Sequence, residues 1–216
     1  DKTKVVIICN PNNPTGTLFA RQDLLSLAGE LEKREILLVV DEAYAEYVTD
    51  SRYVSGVELF RQLGHVVILR TFSKIYGLAS LRVGYAIAPK PVVDSFSKVR
   101  RVFSVNSIAQ AAAVAALEEP EYVEQIREKT ILERERLLSE LMDMGIKVLP
   151  THTNFLLLEV EDAELVAEHL LHEGIIVRLG SDLEIPGYLR VSIGLPEDNE
   201  SFILALRKTL KRLGKR

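Results

Sequence analysis

The chain has 216 residues, which is enough to bury a full core in one or two domains. Hydrophobic residues make up 47% of it and charged residues 27%, which excludes a disordered or low-complexity chain. The net charge of −4 argues against nucleic acid as a partner. Cys9 is the only cysteine, which excludes an intrachain disulfide, and the apolar runs are too short to span a membrane. We therefore expect a cytoplasmic protein that acts on a small molecule.

The first half of the chain alternates short apolar runs with helical patterns. This alternation is typical of strand–helix–strand units in a mostly parallel sheet. The predicted strands cover 5–9, 36–40, 66–69 and 83–88, and the predicted helices cover 24–31, 94–104 and 108–117. The last helix is apolar all round except for Gln110, which predicts that it is buried on several sides.

The second half begins with one long helical pattern over 122–144, and Gly145 stands where a C-terminal cap is expected. The pattern then predicts a small α+β unit with strands at 146–149, 155–160, 175–178 and 189–193, and helices at 163–173 and from Asn199. We predict an α/β fold with helices on both faces of a mostly parallel sheet, followed by this α+β unit. The predicted domains are 1–118, a partial large domain, and 119–216, a small domain that includes the long helix.

Polar motifs follow the first two predicted strands. Asn-Pro-Asn-Asn-Pro-Thr-Gly at 10–16 combines two prolines with a glycine, so it predicts a rigid turn that either is purely structural or aims an Asn amide at a ligand. Asp41 and Tyr44 follow the second strand, at the sheet edge where open α/β folds bind ligands. An Asp at this place either caps the next turn or pairs with a cation.

A third motif follows the strand at 66–69. It contains two hydroxyl side chains and two cations, at Thr71, Ser73, Lys74 and Arg82. Hydroxyls and a guanidinium can hold a phosphate group, and a partly desolvated lysine beside them can form a Schiff base with a carbonyl. A lone lysine in a loop is usually solvated, so the prediction depends on the whole set of motifs and on their order.

These motifs resemble those of the fold-type I pyridoxal-phosphate (PLP) aminotransferases, and within them the histidinol-phosphate aminotransferase branch. The resemblance covers essentially the whole chain. It implies PLP as the cofactor, with Lys74 as the catalytic lysine that forms a Schiff base with it. It also implies that Asp41 pairs with the pyridine nitrogen, that Asn13 and Tyr44 contact the phenolic oxygen, and that Thr71, Ser73 and Arg82 hold the phosphate.

The segment Tyr-Leu-Arg-Val-Ser-Ile-Gly at 188–194 resembles the family segment whose arginine binds the substrate carboxylate, so this role falls to Arg190. Arg178 falls where the branch offers a second arginine to the substrate phosphate, although an ion pair with a surface acid is the alternative. The resemblance implies amino transfer between histidinol phosphate and the glutamate/2-oxoglutarate pair in a homodimer. No His, Cys and carboxylate spacing predicts a metal site.

Two kinds of alternative function remain open. On the same fold, the chain could be an aromatic-amino-acid aminotransferase or a threonine-phosphate decarboxylase. In another class, it could be a degenerate, non-catalytic binding module, although such a module would be expected to lose Lys74 or Asp41 first.

The family's chains are longer at the amino end than this sequence, which starts without Met just before a core strand. We therefore expect that the family's N-terminal portion, which includes a Gly-rich phosphate loop, is missing from it. If the working protein also lacks that portion, we expect weak PLP binding, an exposed apolar surface, and aggregation or dependence on a partner.

Overall fold

The computed structural model describes residues 2–214, so the outermost residues of the two predicted domains lie outside the described part. The chain divides into two compact units. The larger unit contains the residues up to Asn12 together with Leu18–Ile126, and the smaller unit contains Asn13–Thr17 together with the chain from Arg127 onward. Each unit has its own buried apolar core.

The larger unit is built on a four-stranded sheet in which sequence neighbours are also neighbours in space. Its strands are β1 (Val5–Cys9), β2 (Leu37–Asp41), β3 (Val66–Thr71) and β4 (Gly84–Ile87). The first three strands are parallel, and β4 is antiparallel to β3. The predicted α/β class with a mostly parallel sheet is therefore confirmed. The carboxyl ends of β1, β2 and β3 meet at one edge of the sheet.

Among residues 2–214, four α-helices lie wholly in the larger unit: α1 (Arg21–Lys33), α2 (Gly56–Phe60), α3 (Lys90–Val99) and α4 (Ser107–Leu117). Helices α1 and α2 contribute to the same core as one face of the sheet, where side chains of β2 and β3 are fully buried. Because side chains alternate along a strand, Leu38, Val40 and Ile68 face this core, and Asp41 faces the other side.

Two predictions for these helices are wrong. Helix α3 begins at Lys90 and ends at Val99, rather than covering 94–104, because Pro91 fits the first helical turn and Arg100 is extended. Helix α4 is not buried on several sides: Ile108 is 71% exposed and Val114 is 57% exposed. Within this unit α4 packs through one narrow stripe, in which Ala109 and Ala113 are buried against Phe72 and Val83.

The smaller unit is an α+β arrangement, as predicted. Its antiparallel sheet has the strand order β5-β6-β8-β7, with β5 (Lys147–Val148), β6 (Phe155–Glu159), β7 (Arg178–Leu179) and β8 (Tyr188–Ser192). Helix α5 (Pro120–Asp143) leads into this unit, and α6 (Ala163–His172) and α7 (Pro196–Arg212) pack on the core that includes β6 and β8.

The strand predicted at 175–178 is shorter and later than expected. The backbone N–H of Ile175 donates to the carbonyl of Leu170, so this residue completes the end of α6 instead of entering the sheet. Ile176 is 84% exposed, and regular pairing begins only at Arg178. Between residues 2 and 214, the helices lack the combination of length and apolar character needed to cross a membrane.

Candidate active site

Asp41 is the last residue of β2 and stands at the carboxyl edge of the larger unit's sheet. Its carboxylate oxygen Oδ1 accepts a hydrogen bond from the backbone N–H of Ala43 at 3.0 Å. This contact is the turn-capping role that was one of the two expectations for Asp41. The contact fixes the carboxylate on the side of the sheet away from the α1–α2 core.

Lys74 and Tyr44 are in contact. The Nζ atom of Lys74 lies 5.1 Å from the centroid of the Tyr44 ring, within the range of a cation–π interaction. The Tyr44 side chain is almost completely buried, at 4% exposure, so its ring is a fixed surface for the amine. The structure therefore brings together two predicted residues that come from the turns after β2 and β3.

Thr71, Ser73 and Arg82 form a second cluster in the larger unit. The backbone N–H of Ser73 donates to Thr71 Oγ1 at 3.0 Å, and Arg82 Nη1 lies 3.4 Å from Ser73 Oγ and 2.9 Å from the carbonyl of Ala79. Arg82 has a φ of +52°, a left-handed conformation that turns the chain sharply into β4. The two hydroxyls and the guanidinium form a donor set suited to a phosphate group.

Close packing beside this cluster requires a glycine. Gly84 begins β4 opposite Thr71, and a Cβ atom at this position would lie 2.6 Å from the carbonyl oxygen of Arg70. Any other residue would therefore push β4 away from the end of β3. The glycine keeps Arg82 close to the turn that carries Ser73.

The same unit contains a buried ion pair that was not predicted from the sequence. Glu42 is fully buried, and the guanidinium of Arg70 donates to its Oε2 from Nη2 at 2.7 Å. Arg70 also contacts Glu46, at 3.3 Å. Burial raises the pKa of Glu46, although the Arg70 charge opposes this effect. An arginine directly after the apolar run 66–69 of β3 was the sequence signal that could have indicated the pair.

In the smaller unit, Arg190 lies on β8 and contacts Asn13. Arg190 Nη1 donates to Asn13 Oδ1 at 2.8 Å, and the guanidinium carbon lies 5.0 Å from the centroid of the Phe155 ring. Arg190 Nε is buried, and it has no hydrogen-bond partner among residues 2–214. A buried donor of this kind is costly unless a ligand accepts its proton.

Arg178 lies directly opposite Arg190 in the pairing of β7 with β8. Its Nε is 3.5 Å from Asp182, so the alternative of an ion pair with a surface acid is also seen in the structure. Both arginines line a cavity of about 410 Å³ together with Ile176 and Asn199. Like charges opposite each other are unfavourable, and a bound anion would remove that repulsion.

The turn that carries Asn13 is held within the smaller unit. The backbone N–H of His152 donates to the carbonyl of Gly16 at 2.9 Å. Gly16 has a φ of +78°, and a Cβ atom there would lie 2.2 Å from Thr151 Oγ1. Only glycine therefore lets the backbone at position 16 lie this close to Thr151. This close packing keeps Asn13 beside Arg190.

Comparison with known proteins agrees with this arrangement. Residues 1–206 match the family model described as aminotransferase class I and II. The chain belongs to this family. The membership predicted from the motifs is therefore confirmed. Among residues 2–214, no group of three or more His, Cys, Asp or Glu side chains is arranged to hold a metal ion.

Several relatives of this family member carry the name of the branch that its motifs resemble. A histidinol-phosphate aminotransferase from Caldicellulosiruptor saccharolyticus is 41% identical over 97% of this chain and 59% of its own length. The structure of a histidinol-phosphate aminotransferase from Sinorhizobium meliloti in complex with pyridoxal-5'-phosphate is 30% identical, with a TM-score of 0.88 over 97% of this chain and 58% of that one. This aminotransferase-family chain thus spans about three fifths of the length of these relatives.

A third similar structure has a different named activity. L-threonine-O-3-phosphate decarboxylase from Porphyromonas gingivalis is 25% identical, with a TM-score of 0.80 over 96% of this chain and 65% of that one. The fold of this aminotransferase-family chain is therefore shared by proteins that are named for different reactions.

Proposed function

We propose that this protein is a PLP-dependent aminotransferase that transfers an amino group between histidinol phosphate and the glutamate/2-oxoglutarate pair. The observation that carries the substrate class is the pair of arginines, Arg178 and Arg190, that lie opposite each other and line one cavity. Guanidinium groups bind phosphate and carboxylate anions, so the pair suits the phosphate of histidinol phosphate in one half of the reaction and the carboxylates of glutamate or 2-oxoglutarate in the other. The relatives named histidinol-phosphate aminotransferase support this choice.

The residues of the larger unit fit PLP by their chemistry. The Asp41 carboxylate suits the pyridine nitrogen of PLP, and the buried Tyr44 phenol suits its phenolic oxygen. The Lys74 amine suits the aldehyde, and the hydroxyl–guanidinium cluster suits the phosphate. When bound, PLP supplies the electron sink that makes removal of the substrate Cα proton possible. The residues of this unit proposed to hold it are Asp41, Tyr44, Thr71, Ser73, Lys74 and Arg82, and Asn13 is proposed as a further cofactor ligand.

The proposal gives Asp41, Asn13, Tyr44 and Lys74 the following tasks. The Asp41 carboxylate keeps a proton on the pyridine nitrogen, and the Asn13 amide and the Tyr44 hydroxyl orient the ring through its phenolic oxygen. Lys74 is the catalytic residue: its amine takes the proton from the substrate Cα and returns it. The 5.1 Å contact with the Tyr44 ring supports this role, because it keeps the amine at a fixed place.

In the smaller unit, Arg190 is proposed to bind the carboxylate of glutamate or 2-oxoglutarate, and Arg178 the phosphate of histidinol phosphate. The unpartnered Nε of Arg190 supports its role, since a carboxylate would accept both this proton and one from Nη1 or Nη2. Arg178 is 55% exposed and only loosely paired with Asp182, so it is free to turn to an anion. We further propose that the enzyme is a cytoplasmic homodimer, with 1–118 as its cofactor domain and 119–216 as its small domain.

A second candidate function is decarboxylation of a threonine phosphate ester. The similar structure from Porphyromonas gingivalis favours it, and Arg178 would suit either phosphate ester. Comparing the two substrates with added PLP decides between them, because the decarboxylase releases carbon dioxide and needs no 2-oxoglutarate.

Reduction with borohydride tests the cofactor part of the proposal. The chain mixed with PLP should develop a visible absorbance band, and borohydride should fix the cofactor covalently to the peptide that contains Lys74. Lys74→Ala should abolish this fixation. Lys90→Ala is the matched control, because Lys90 is an exposed lysine of α3 that pairs with Asp94. Fixation that persists in Lys74→Ala would contradict the assignment of Lys74.

Kinetics of Arg178→Ala test the substrate part. We expect KM for histidinol phosphate to rise at least tenfold, because a charged hydrogen bond to the phosphate is lost, while kcat changes little. Arg207→Ala is the matched control, since the Arg207 side chain is also 55% exposed and pairs with Glu140. Turnover of phenylalanine but not of histidinol phosphate would overturn the proposed substrate.

A further inference from the structure

The larger unit contains a buried charged pair that the proposed function does not use. The Glu42 side chain is 0% exposed and that of Arg70 is 19% exposed, and Arg70 Nη2 and Nε lie 2.7 and 2.9 Å from Glu42 Oε2. Removing two charges from water is costly, and well-packed apolar side chains often stabilise a fold equally well. The Glu42–Arg70 pair is therefore not explained by stability alone.

The position of the Glu42 carboxylate is fixed by further donors. Tyr53 Oη donates to Oε1 at 2.6 Å, the backbone N–H of Gly56 donates to the same oxygen, and Ser55 Oγ donates to Oε2 at 3.3 Å. Burial and the Glu42 charge raise the pKa of Tyr53, so its hydroxyl remains a proton donor. Because both of its oxygens accept hydrogen bonds, the Glu42 carboxylate is held in one position.

The pair joins two strand ends that each lead into a proposed cofactor segment. Glu42 follows Asp41 at the end of β2, and Arg70 precedes Thr71 at the end of β3. Asp41 is paired with Leu69 in the sheet, and the backbone N–H of Glu42 continues the ladder to the carbonyl of Leu69 at 2.9 Å. Because side chains alternate, Asp41 and Thr71 face one side of the sheet and the Glu42–Arg70 pair faces the other.

We infer that Glu42 and Arg70 are positioning residues for the proposed cofactor site, an inference that rests on the proposed function. The pair sets the distance between Asp41 and the segment 71–74, which carries Lys74 and two of the proposed phosphate ligands, Thr71 and Ser73. PLP is a small rigid molecule whose ring nitrogen and phosphate would be held by these two segments. A small change in their spacing therefore weakens contacts at both ends at once.

The PLP dissociation constant of substituted chains tests the inference. Glu42→Gln keeps the shape of the side chain and removes its charge, and we expect the dissociation constant to rise at least tenfold. Arg70→Lys keeps the charge but cannot place two donors on Oε2, so we expect a smaller rise. Arg70→Lys also retains a buried ion pair, so it provides a folded variant if Glu42→Gln does not fold.

Glu32→Gln is the matched control. The Glu32 carboxylate accepts hydrogen bonds from the backbone N–H groups of Gly64 and His65, both at 3.0 Å, and so anchors the opposite end of β3. We expect this substitution to lower the thermal midpoint and to leave the PLP dissociation constant within twofold. If the Glu42–Arg70 pair were merely structural, its variants would behave like this control.

Hydrogen exchange of the free chain adds a measurement that does not depend on PLP. The amides of Ala43 and Ser73 donate to Asp41 Oδ1 and Thr71 Oγ1, so they report the order of the two turns. We expect Glu42→Gln to speed the exchange of both amides at least tenfold, while the amide of Val67 near the start of β3 changes less than twofold.

The outcomes separate this inference from the proposed function. If the unsubstituted chain takes up PLP at Lys74 and both variants bind it within twofold of that affinity, the positioning role is overturned and the proposed function stands. If the unsubstituted chain takes up no PLP at Lys74, the proposed function is overturned and the inference falls with it. Tenfold weaker binding with faster exchange at Ala43 and Ser73 supports the inference.

Discussion

At the scale of single residues, Gly16 determines how closely the Asn13 turn approaches the rest of its unit. Its backbone is left-handed, and its missing side chain leaves room for Thr151. The same approach lets the carbonyl of Gly16 accept a hydrogen bond from His152. The contact between Asn13 and Arg190 depends on this turn keeping its conformation.

We expect Gly16→Ala to lower the free energy of unfolding by about 2–4 kcal/mol, the combined effect of a left-handed alanine and of overpacking against Thr151. Gly174→Ala is the matched control: its φ is +81°, and no described atom lies within 4 Å of the added Cβ. It should cost about 1–2 kcal/mol for the backbone alone. Urea denaturation measures both values, and equal losses would contradict the steric argument.

At the scale of elements, an acidic side chain of α5 links this helix to the turn between β8 and α7. Glu133 Oε2 accepts hydrogen bonds from Arg136 Nη2 at 3.0 Å and from Asn199 Nδ2 at 2.8 Å. Asn199 Oδ1 in turn accepts the backbone N–H of Gly194 at 2.9 Å. The hydrogen bonds from Arg136 and Asn199 lower the pKa of Glu133 below its ordinary value.

The pKa of Glu133 is lower in the folded chain than in the unfolded chain. Its ionised carboxylate therefore stabilises the fold fully at a pH above its pKa in the unfolded chain, and this stabilisation disappears as the pH falls through its pKa in the folded chain. We expect Glu133→Gln to lower the free energy of unfolding by about 1–2 kcal/mol at pH 7, with the loss shrinking in acid. Urea denaturation between pH 3 and pH 7 measures this. Exposed Glu135→Gln should have little effect, and a pH-independent loss in Glu133→Gln would contradict the mechanism.

The elements also show how far the sequence predicts the fold. Continuous apolar runs gave the position of β1 to the residue and that of the other strands of the larger sheet to within one or two residues. The exposure of α4 could not be predicted, because composition shows that a helix is apolar but not how many neighbours cover it. The late start of β7 depends on how α6 ends at Gly174, which is a backbone detail.

The candidate site has a similar limit. The sequence places Asn13, Asp41, Tyr44 and Lys74 after predicted strands, which follows from the order of apolar and polar segments. It does not give contacts across long separations: Asn13 and Arg190 are 177 positions apart, and Glu42 and Arg70 are 28 apart. Glu42 in particular looks in the sequence like an ordinary solvated acid, because nothing local indicates its five donors.

At the scale of the whole molecule, the larger unit exposes many apolar side chains after α3 and along α4. Phe103 is 95% exposed and Val102 is 78% exposed. Both line a cavity of about 960 Å³ together with Val114 and Leu117. An exposed apolar surface of this kind promotes association and binding of hydrophobic molecules.

We expect the double substitution Val102→Ser and Phe103→Asn to reduce binding of a hydrophobic fluorescent dye at least twofold. Asn suits the left-handed φ of +60° at position 103, and exposed sites contribute little to folding, so the free energy of unfolding should change by less than about 0.5 kcal/mol. Leu204→Ser, an exposed site on α7, is the control. Unchanged dye fluorescence in the double variant would contradict this prediction.

The division of the chain also has a genetic consequence. The smaller unit takes Asn13–Thr17 from the early part of the sequence, although the rest of it begins at Arg127. A single recombination near position 127 would therefore exchange most of this unit but leave Asn13–Thr17 unchanged. The hydrogen bond from His152 to the Gly16 carbonyl would then join segments from two different parents. Insertions or deletions between 10 and 18 should accordingly disturb side chains encoded more than a hundred codons downstream, and chimaeras between relatives would need two exchanged segments to remain intact.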